Sequence, residues 1–138
     1  MAANIMPEEA ARLMSEENYL YIDVRSIAEF EAGHPDPAVN IPVLHVDENT
    51  GQMVLNEDFV EVVQAHFQAD SKLVMGCRSG QRSAHAAMML EQNGYETVVN
   101  MAYGFVGDQM GNPGWQALGL PSSAENGEGV SYESLSRK

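Results

Sequence analysis

Residues 72–82 read KLVMGCRSGQR, and they give the clearest local signals of secondary structure in the chain. The apolar run Leu73–Met75 predicts a central strand. A polar loop, Cys77–Arg82 (CRSGQR), follows it, and the helical pattern Ser83–Gln92 then ends before Gly94. The stretch therefore predicts a strand, a loop and a helix, with the only cysteine of the chain at the carboxyl end of the strand.

The segments on either side continue this alternation. Further strands are predicted at Tyr19–Val24, Ala38–Leu44 and Thr97–Met101, and further helices at Pro7–Ser15, Ile27–Ala32 and Glu57–Phe67. Alternating strands and helices are typical of an α/β domain with a mainly parallel sheet. Such sheets bind ligands beyond the carboxyl ends of their strands, which is where Cys77 lies.

One short helix carries clear end signals. Ser26 can cap the helix Ile27–Ala32, and Gly33 ends it. Glu29 lies four residues after Arg25, and this spacing predicts a modest ion pair between the two side chains.

The loop Cys77–Arg82 has the composition of an anion-binding turn. Backbone N–H groups between a buried strand and a helix N-terminus can point at one anion, and Gly80 permits the tight curl. These donors, together with Arg78 and Arg82, favour the thiolate of Cys77, which is its nucleophilic form. The same donors would hold a persulfide, Cys–S–S⁻, so we expect Cys77 to carry sulfur without a metal or organic cofactor.

The alternative is that Cys77 is an inert buried side chain and that both arginines are merely solvated. A single cysteine excludes an internal disulfide, a CxxC redox pair and a multi-cysteine zinc site. Seven Lys and Arg against 20 Asp and Glu give a formal charge of −13. This charge argues against nucleic acid and anionic membranes as partners.

Motifs around the loop resemble those of the rhodanese-homology domain, in the same order from Met6 to Pro121. The matching landmarks are Asp23-Val24-Arg25, Glu29-Phe30, Gly33-His34, Ala38-Val39-Asn40-Ile41-Pro42, the loop from Cys77, Gly94-Tyr95, Val98, Asn100, Trp115 and Gly119-Leu120-Pro121. The resemblance implies a rhodanese-like α/β fold with a central parallel sheet of about five strands flanked by helices.

The resemblance also implies an activity and a set of site residues. The activity is that of a thiosulfate sulfurtransferase, with Cys77 as the sulfur carrier. Its anion cradle would be Arg78, Ser79, Gly80, Gln81 and Arg82. Asp23 and Arg25 would be supporting residues, and His34 is a third candidate, either as a substrate contact or in a local structural role.

The implied partners are small molecules and thiols. The donor would be a small sulfur anion, thiosulfate or a persulfide. Arg78 favours thiosulfate over mercaptopyruvate, because a cation after the cysteine suits an oxyanion. The acceptor would be a thiol such as glutathione or thioredoxin, or cyanide.

Three segments depart from the family pattern. Gly33–Ala38 reads GHPDPA where an apolar residue and a glycine are usual, and Ala102–Phe105 replaces a glycine pair and a tryptophan. Met110–Gly114 resembles an inserted turn. We therefore expect a different pocket rim, with Tyr103 and Phe105 either walling the pocket or capping the core.

Two other functions remain open. A cysteine-dependent phosphatase or arsenate reductase also uses an activated cysteine and an arginine, but five residues usually separate the two, whereas four separate Cys77 from Arg82. A noncatalytic sulfur-relay or binding module would contain the same loop.

The extent of the domain follows from composition. Residues 1–121 are predicted to form one rhodanese-homology domain. Residues 122–138 are polar and rich in Gly, Ser and Glu, and they are predicted to form a disordered tail. The first nine residues, MAANIMPEE, resemble neither a signal peptide nor a membrane span, so the expected location is cytoplasmic.

Overall fold

The computed structural model describes residues 2–137. In chain order, the elements are β1 (Ala3–Ile5), α1 (Pro7–Glu16), β2 (Leu20–Asp23), α2 (Ile27–Ala32), β3 (His34–Pro35), β4 (Val39–Asn40), β5 (Leu44–Val46), β6 (Met53–Leu55), α3 (Phe59–His66), β7 (Lys72–Gly76), α4 (Gln81–Gln92), β8 (Thr97–Met101), β9 (Ser122–Ser123) and α5 (Tyr132–Ser136).

Five parallel strands form the central sheet in the order β1-β8-β7-β2-β4. β7 lies in the middle, because its apolar residues Leu73, Val74 and Met75 are fully buried between helices on both faces of the sheet. The predicted α/β fold with a five-stranded parallel sheet is confirmed. The register aligns Asp23 of β2 with Gly76 of β7, so both strands end beside Cys77.

Two apolar clusters cover the faces of this sheet. One contains residues of α3 and α4, such as Phe59 and Leu90, and it includes Cys77. The other contains Ala10 of α1 and Phe30 of α2. The cysteine therefore lies at the edge of a packed core, directly after the central strand.

Several elements have the predicted bounds, and others do not. β8 and α2 match residue for residue, and Ser26 forms the capping box with Glu29 that fixes the start of α2. β1 was not predicted, because it has only three residues and two of them are exposed. Its pairing with β8 supplies the fifth strand of the sheet.

The segment after Pro121 differs from the disordered tail that its composition predicts. β9 pairs with β3, and α5 places Leu135 in the core cluster that contains Cys77. His66 Nε2 lies 2.7 Å from the Leu135 carbonyl oxygen, which fastens α5 to α3. The buried Leu135, the partly buried Val130 and Tyr132, and several hydrogen bonds anchor this mostly polar segment, whose composition alone predicts exposure to solvent. Lys138 lies outside the described residues.

The polar stretch after β5 is a hairpin. β5 and β6 pair antiparallel, with Leu44 opposite Leu55. The side chains of β6 are exposed. Within residues 2–137, no helix has the length and apolar character needed to cross a membrane.

Candidate active site

The sulfur of Cys77 is surrounded by hydrogen-bond donors. The residue follows β7 directly and is only 1% exposed. The backbone nitrogens of Gly80 and Ser83 lie 3.1 and 3.4 Å from Sγ, and the Ser83 hydroxyl oxygen lies 3.3 Å from it. Donors from a tight turn and a helix N-terminus therefore converge on one atom, as an anion site requires.

The turn depends on Gly80. This residue has a φ of +107°, in the left-handed region, and caps α4. The helix begins at Gln81, two residues before the predicted start at Ser83. As a result, Gln81 and Arg82 already belong to the first helical turn, and Ser83 faces the sulfur.

The segment after β8 forms hydrogen bonds with the start of the Cys77–Arg82 loop. Backbone N–H groups of Phe105 and Val106 donate to the carbonyl oxygens of Cys77 and Arg78, at 2.8 and 3.0 Å. Gly104 lies so close that a Cβ there would collide with both carbonyl groups. This contact explains why a glycine remains at position 104 although the neighbouring sequence departs from the family pattern.

Arg82 bonds a carboxylate instead of the sulfur. Its two terminal nitrogens lie 2.8 and 3.0 Å from the carboxylate oxygens of Glu29. Burial raises the pKa of Glu29, but the bond from Arg82 and those from Ser26 outweigh it and lower the pKa to about 2. Arg82 therefore ties α4 to α2, and much of its charge is neutralised beside the loop.

Asp23 and Arg25 form a buried pair. Arg25 Nη2 lies 2.7 Å from Asp23 Oδ2 and donates to the Gly33 carbonyl oxygen at 2.6 Å. The guanidinium also lies over the Phe105 ring, 4.7 Å from its centroid. The predicted ion pair between Arg25 and Glu29 is wrong, because Arg25 pairs with Asp23 and Glu29 pairs with Arg82.

His34 lies within the core and binds the C-terminal segment. Its ring stacks on Phe30 at 3.7 Å between centroids. Nδ1 lies 2.8 Å from the Pro35 carbonyl oxygen and Nε2 lies 2.7 Å from that of Glu125. Of the two roles considered for His34, these contacts match the structural one.

Arg78 lies on the solvent side of the loop and lines open clefts. It is exposed and lines a cleft of about 270 Å³ together with Arg25, Gly33 and Phe105. Among residues 2–137, no carboxylate forms an ion pair with Arg78. This makes Arg78 the unneutralised cation of the loop.

A second cleft lies on the other side of the turn. It has a volume of about 540 Å³ and is lined by Ser79, Gly80, Gln81 and Tyr103. Tyr103 borders this cleft, whereas Phe105 belongs to the core and borders the cleft of Arg78. No group of three or more His, Cys, Asp or Glu side chains in the described part of the chain is placed to hold a metal ion.

Sequence reasoning missed two polar residues at the site. Ser83 was assigned to the helix, and Asn100 was only a landmark of β8. In the structure, Asn100 Nδ2 donates to the Gly80 carbonyl oxygen at 3.1 Å, and Ser83 Oγ lies 2.5 Å from Asn100 Oδ1. The available signal was a polar residue directly after the loop, Ser83, and another within a mostly apolar strand, Asn100.

Comparison with known proteins gives this arrangement a family. The sequence pattern described as the rhodanese-like domain matches residues 6–110. The chain belongs to the rhodanese-like domain family. Thiosulfate sulfurtransferase 16, chloroplastic, of Arabidopsis thaliana is 34% identical over 104 residues, which cover 75% of this chain and 79% of that protein.

Other rhodanese-like proteins agree with this assignment. Rhodanese-like domain-containing protein 15, chloroplastic, of the same plant is 35% identical over 102 residues, 73% of this chain and 54% of that protein. The chain thus spans about half the length of several curated relatives it matches. The crystal structure of Rv0390 from M. tuberculosis has a TM-score of 0.73 and 28% identity, covering 90% of this chain and 98% of that one.

Proposed function

We propose that this rhodanese-like domain is a sulfurtransferase that carries sulfane sulfur on Cys77. The observation that carries the proposal is the convergence of two backbone N–H groups, those of Gly80 and Ser83, on Sγ, with the Ser83 hydroxyl also within reach. Fixed donors around a buried sulfur favour an anion there, and both a thiolate and a persulfide are anions. Relatives named thiosulfate sulfurtransferase support the same activity.

The proposed donor is thiosulfate or a related persulfide. The thiolate of Cys77 attacks the outer sulfur of thiosulfate, an S–S bond forms at Sγ, and sulfite leaves with the electron pair of the bond that breaks. Arg78 faces the solvent side of the loop without a carboxylate partner, which suits it to receive the oxyanion end.

The second half-reaction restores the enzyme. A thiolate acceptor such as glutathione or thioredoxin, or cyanide, attacks the outer sulfur of the persulfide. The S–S bond at Cys77 breaks, and the electron pair returns to Sγ as the thiolate. Neither step uses an oxidant or a cofactor, and the two steps together return Cys77 to the thiolate.

Intact-mass measurement tests this proposal. After incubation with thiosulfate, we expect the wild-type protein to gain one sulfur atom and to lose it when a thiol is added. Cys77→Ser is the matched control, because it keeps a side chain of similar size but cannot form a persulfide. Absence of the adduct in the wild type, with every donor among thiosulfate, mercaptopyruvate and glutathione persulfide, would refute the proposal.

Turnover assays separate the other two functions. A sulfur-relay module would load from a persulfide but turn over thiosulfate poorly. A phosphatase would hydrolyse p-nitrophenyl phosphate in a Cys77-dependent way, although the bond between Arg82 and Glu29 leaves that arginine engaged. The cytoplasmic location stays a prediction, and relatives named as chloroplastic make fractionation of the source cells its direct test.

A further inference from the structure

The Ser83 hydroxyl lies between two acceptors and has one proton to give. Its oxygen is 2.5 Å from Asn100 Oδ1 and 3.3 Å from Cys77 Sγ. A serine hydroxyl donates a single hydrogen bond, so it cannot serve both groups at once. The other two donors to the sulfur are backbone N–H groups, which are fixed by the turn.

The orientation of the Asn100 amide decides which acceptor holds the proton. Nδ2 donates to Asn4 Oδ1 at 2.9 Å and to the Gly80 carbonyl oxygen at 3.1 Å. Exchanging the amide oxygen and nitrogen would set oxygen against oxygen at the Gly80 carbonyl, which can only accept. Oδ1 therefore faces Ser83, and as an acceptor it takes the hydroxyl proton.

This arrangement suits a neutral thiol. With its proton on the Asn100 side, Ser83 Oγ presents a lone pair to the sulfur and can accept from S–H. An anionic sulfur has no proton to give, so the hydroxyl must turn towards Sγ and leave Asn100 Oδ1. Asn100 is 3% exposed, so solvent does not readily replace the lost bond.

We propose that Asn100 is a positioning residue that acts through Ser83. It competes with the sulfur for the hydroxyl proton and so sets how readily Cys77 becomes anionic. The inference rests on the proposed role of Cys77 as the sulfur carrier, and it assigns the control of that role to a residue of β8. The register of β8 with β7 aligns Asn100 with Met75. Asn100 therefore lies at the carboxyl end of the strands, beside Cys77.

Alkylation of Cys77 by iodoacetamide measures the anionic fraction directly, since only the thiolate reacts. The quantity compared is the rate at about pH 7 divided by the rate at about pH 10, which cancels the effect of burial on access. In Asn100→Ala, the freed hydroxyl donates to the sulfur, and we expect this ratio to rise by roughly threefold to tenfold. Asn100→Val, which suits a strand, should give the same rise.

A double-mutant cycle distinguishes this role from a general loosening of the loop. In the Ser83→Ala background there is no hydroxyl proton, so adding Asn100→Ala should leave the ratio unchanged. Asn100→Ala also removes the hydrogen bond to the Gly80 carbonyl oxygen, but it does so with and without the Ser83 hydroxyl, so this loss cancels in the comparison. Asn4→Ala is the control that removes a partner of Asn100 without touching Ser83, and it should keep the wild-type ratio.

Two results would overturn the inference. One is an unchanged ratio in Asn100→Ala and Asn100→Val, with folding confirmed by circular dichroism. The other is an equal rise with and without the Ser83 hydroxyl. Alkylation does not require a persulfide, so a failure here is distinct from failure of sulfur loading, which the mass measurement reads.

Discussion

At the scale of single residues, the three arginines near Cys77 differ in what they are free to bind. Arg25 and Arg82 bond Asp23 and Glu29, whereas Arg78 is exposed at a cleft. We expect Arg78→Ala to slow loading by thiosulfate by about tenfold, the effect of one charge-assisted hydrogen bond. Mass spectrometry over time measures the rate. Arg137→Ala removes the same charge elsewhere, and an equal loss there would contradict a local role for Arg78.

The ion pair of Glu29 predicts a pH dependence of stability. Its pKa falls from the ordinary 4.5 to about 2 in the folded protein, since its bonds to Arg82 and Ser26 outweigh burial. A lowered pKa adds stability that is complete above about pH 4.5 and is lost as the pH falls towards about 2. Glu29→Gln should therefore be less stable by about 1 kcal/mol at neutral pH, a modest value for a pair that is partly exposed.

Urea unfolding measures the difference in free energy of unfolding between the wild type and Glu29→Gln. This difference should shrink as the pH falls from about 4.5 towards about 2. Glu31→Gln is the control on the same helix, since Glu31 is exposed. A gap between Glu29→Gln and the wild type that stays constant down to acid pH would mean that the carboxylate charge is not what stabilises the pair.

At the scale of elements, the turn that begins α4 depends on one backbone conformation. A Cβ on Gly80 would lie 3.3 Å from the Tyr103 nitrogen, and its φ of +107° is unfavourable for other residues. Gly80→Ala should cost about 1–2 kcal/mol of stability and also slow sulfur loading, because relief of the strain would move the backbone N–H of residue 80 away from the sulfur. Thermal unfolding and mass spectrometry measure the two effects.

Gly94→Ala is the matched control for this turn. Gly94 has a φ of +95°, but nothing lies within 4 Å of the added Cβ and Gly94 follows the far end of α4. It should lose a similar amount of stability and keep its loading rate. If both variants loaded equally fast, the Gly80 donor would not matter to the chemistry.

The sequence predicted the central elements because they carry strong local signals. β7 and β8 are apolar runs bounded by turns, and α2 has a capping serine and a terminal glycine. The loop after β7 was likewise visible in the spacing of Cys77 and Gly80. The Ser83–Asn100 contact could not be predicted, because it depends on the register between β7 and β8, which no local pattern determines.

At the scale of the whole molecule, the C-terminal segment joins the two faces of the sheet. Val130 packs on the cluster that contains Phe30, while Leu135 lies in the cluster that contains Cys77. Leu135→Ala should therefore lower the free energy of unfolding by about 2 kcal/mol, within the range for a buried leucine. Urea unfolding measures it, with Met110→Ala, at an 86% exposed position, as the control.

A Leu135→Ala variant as stable as the control would show that residues 122–137 add little to the fold. The composition of this segment could not reveal its packing, because only a few apolar residues carry it.

The overall charge, in contrast, could be read from the sequence. A formal charge of −13 was evident from the sequence, and the structure adds that Arg82 and Arg25 are neutralised locally while Arg78 is not.

The burial of the only thiol has a practical consequence for the life of the protein. With a single cysteine, 1% exposed, the folded chain presents almost no thiol to air, to peroxide or to another chain. A thiol so hidden is slow to become a sulfenic acid or to cross-link two molecules. In the proposed cycle, the atom that reaches the outside is the delivered sulfur, about 2 Å beyond Sγ. When no sulfur donor is present, the protein would therefore keep the thiol of Cys77 reduced and able to accept sulfur later.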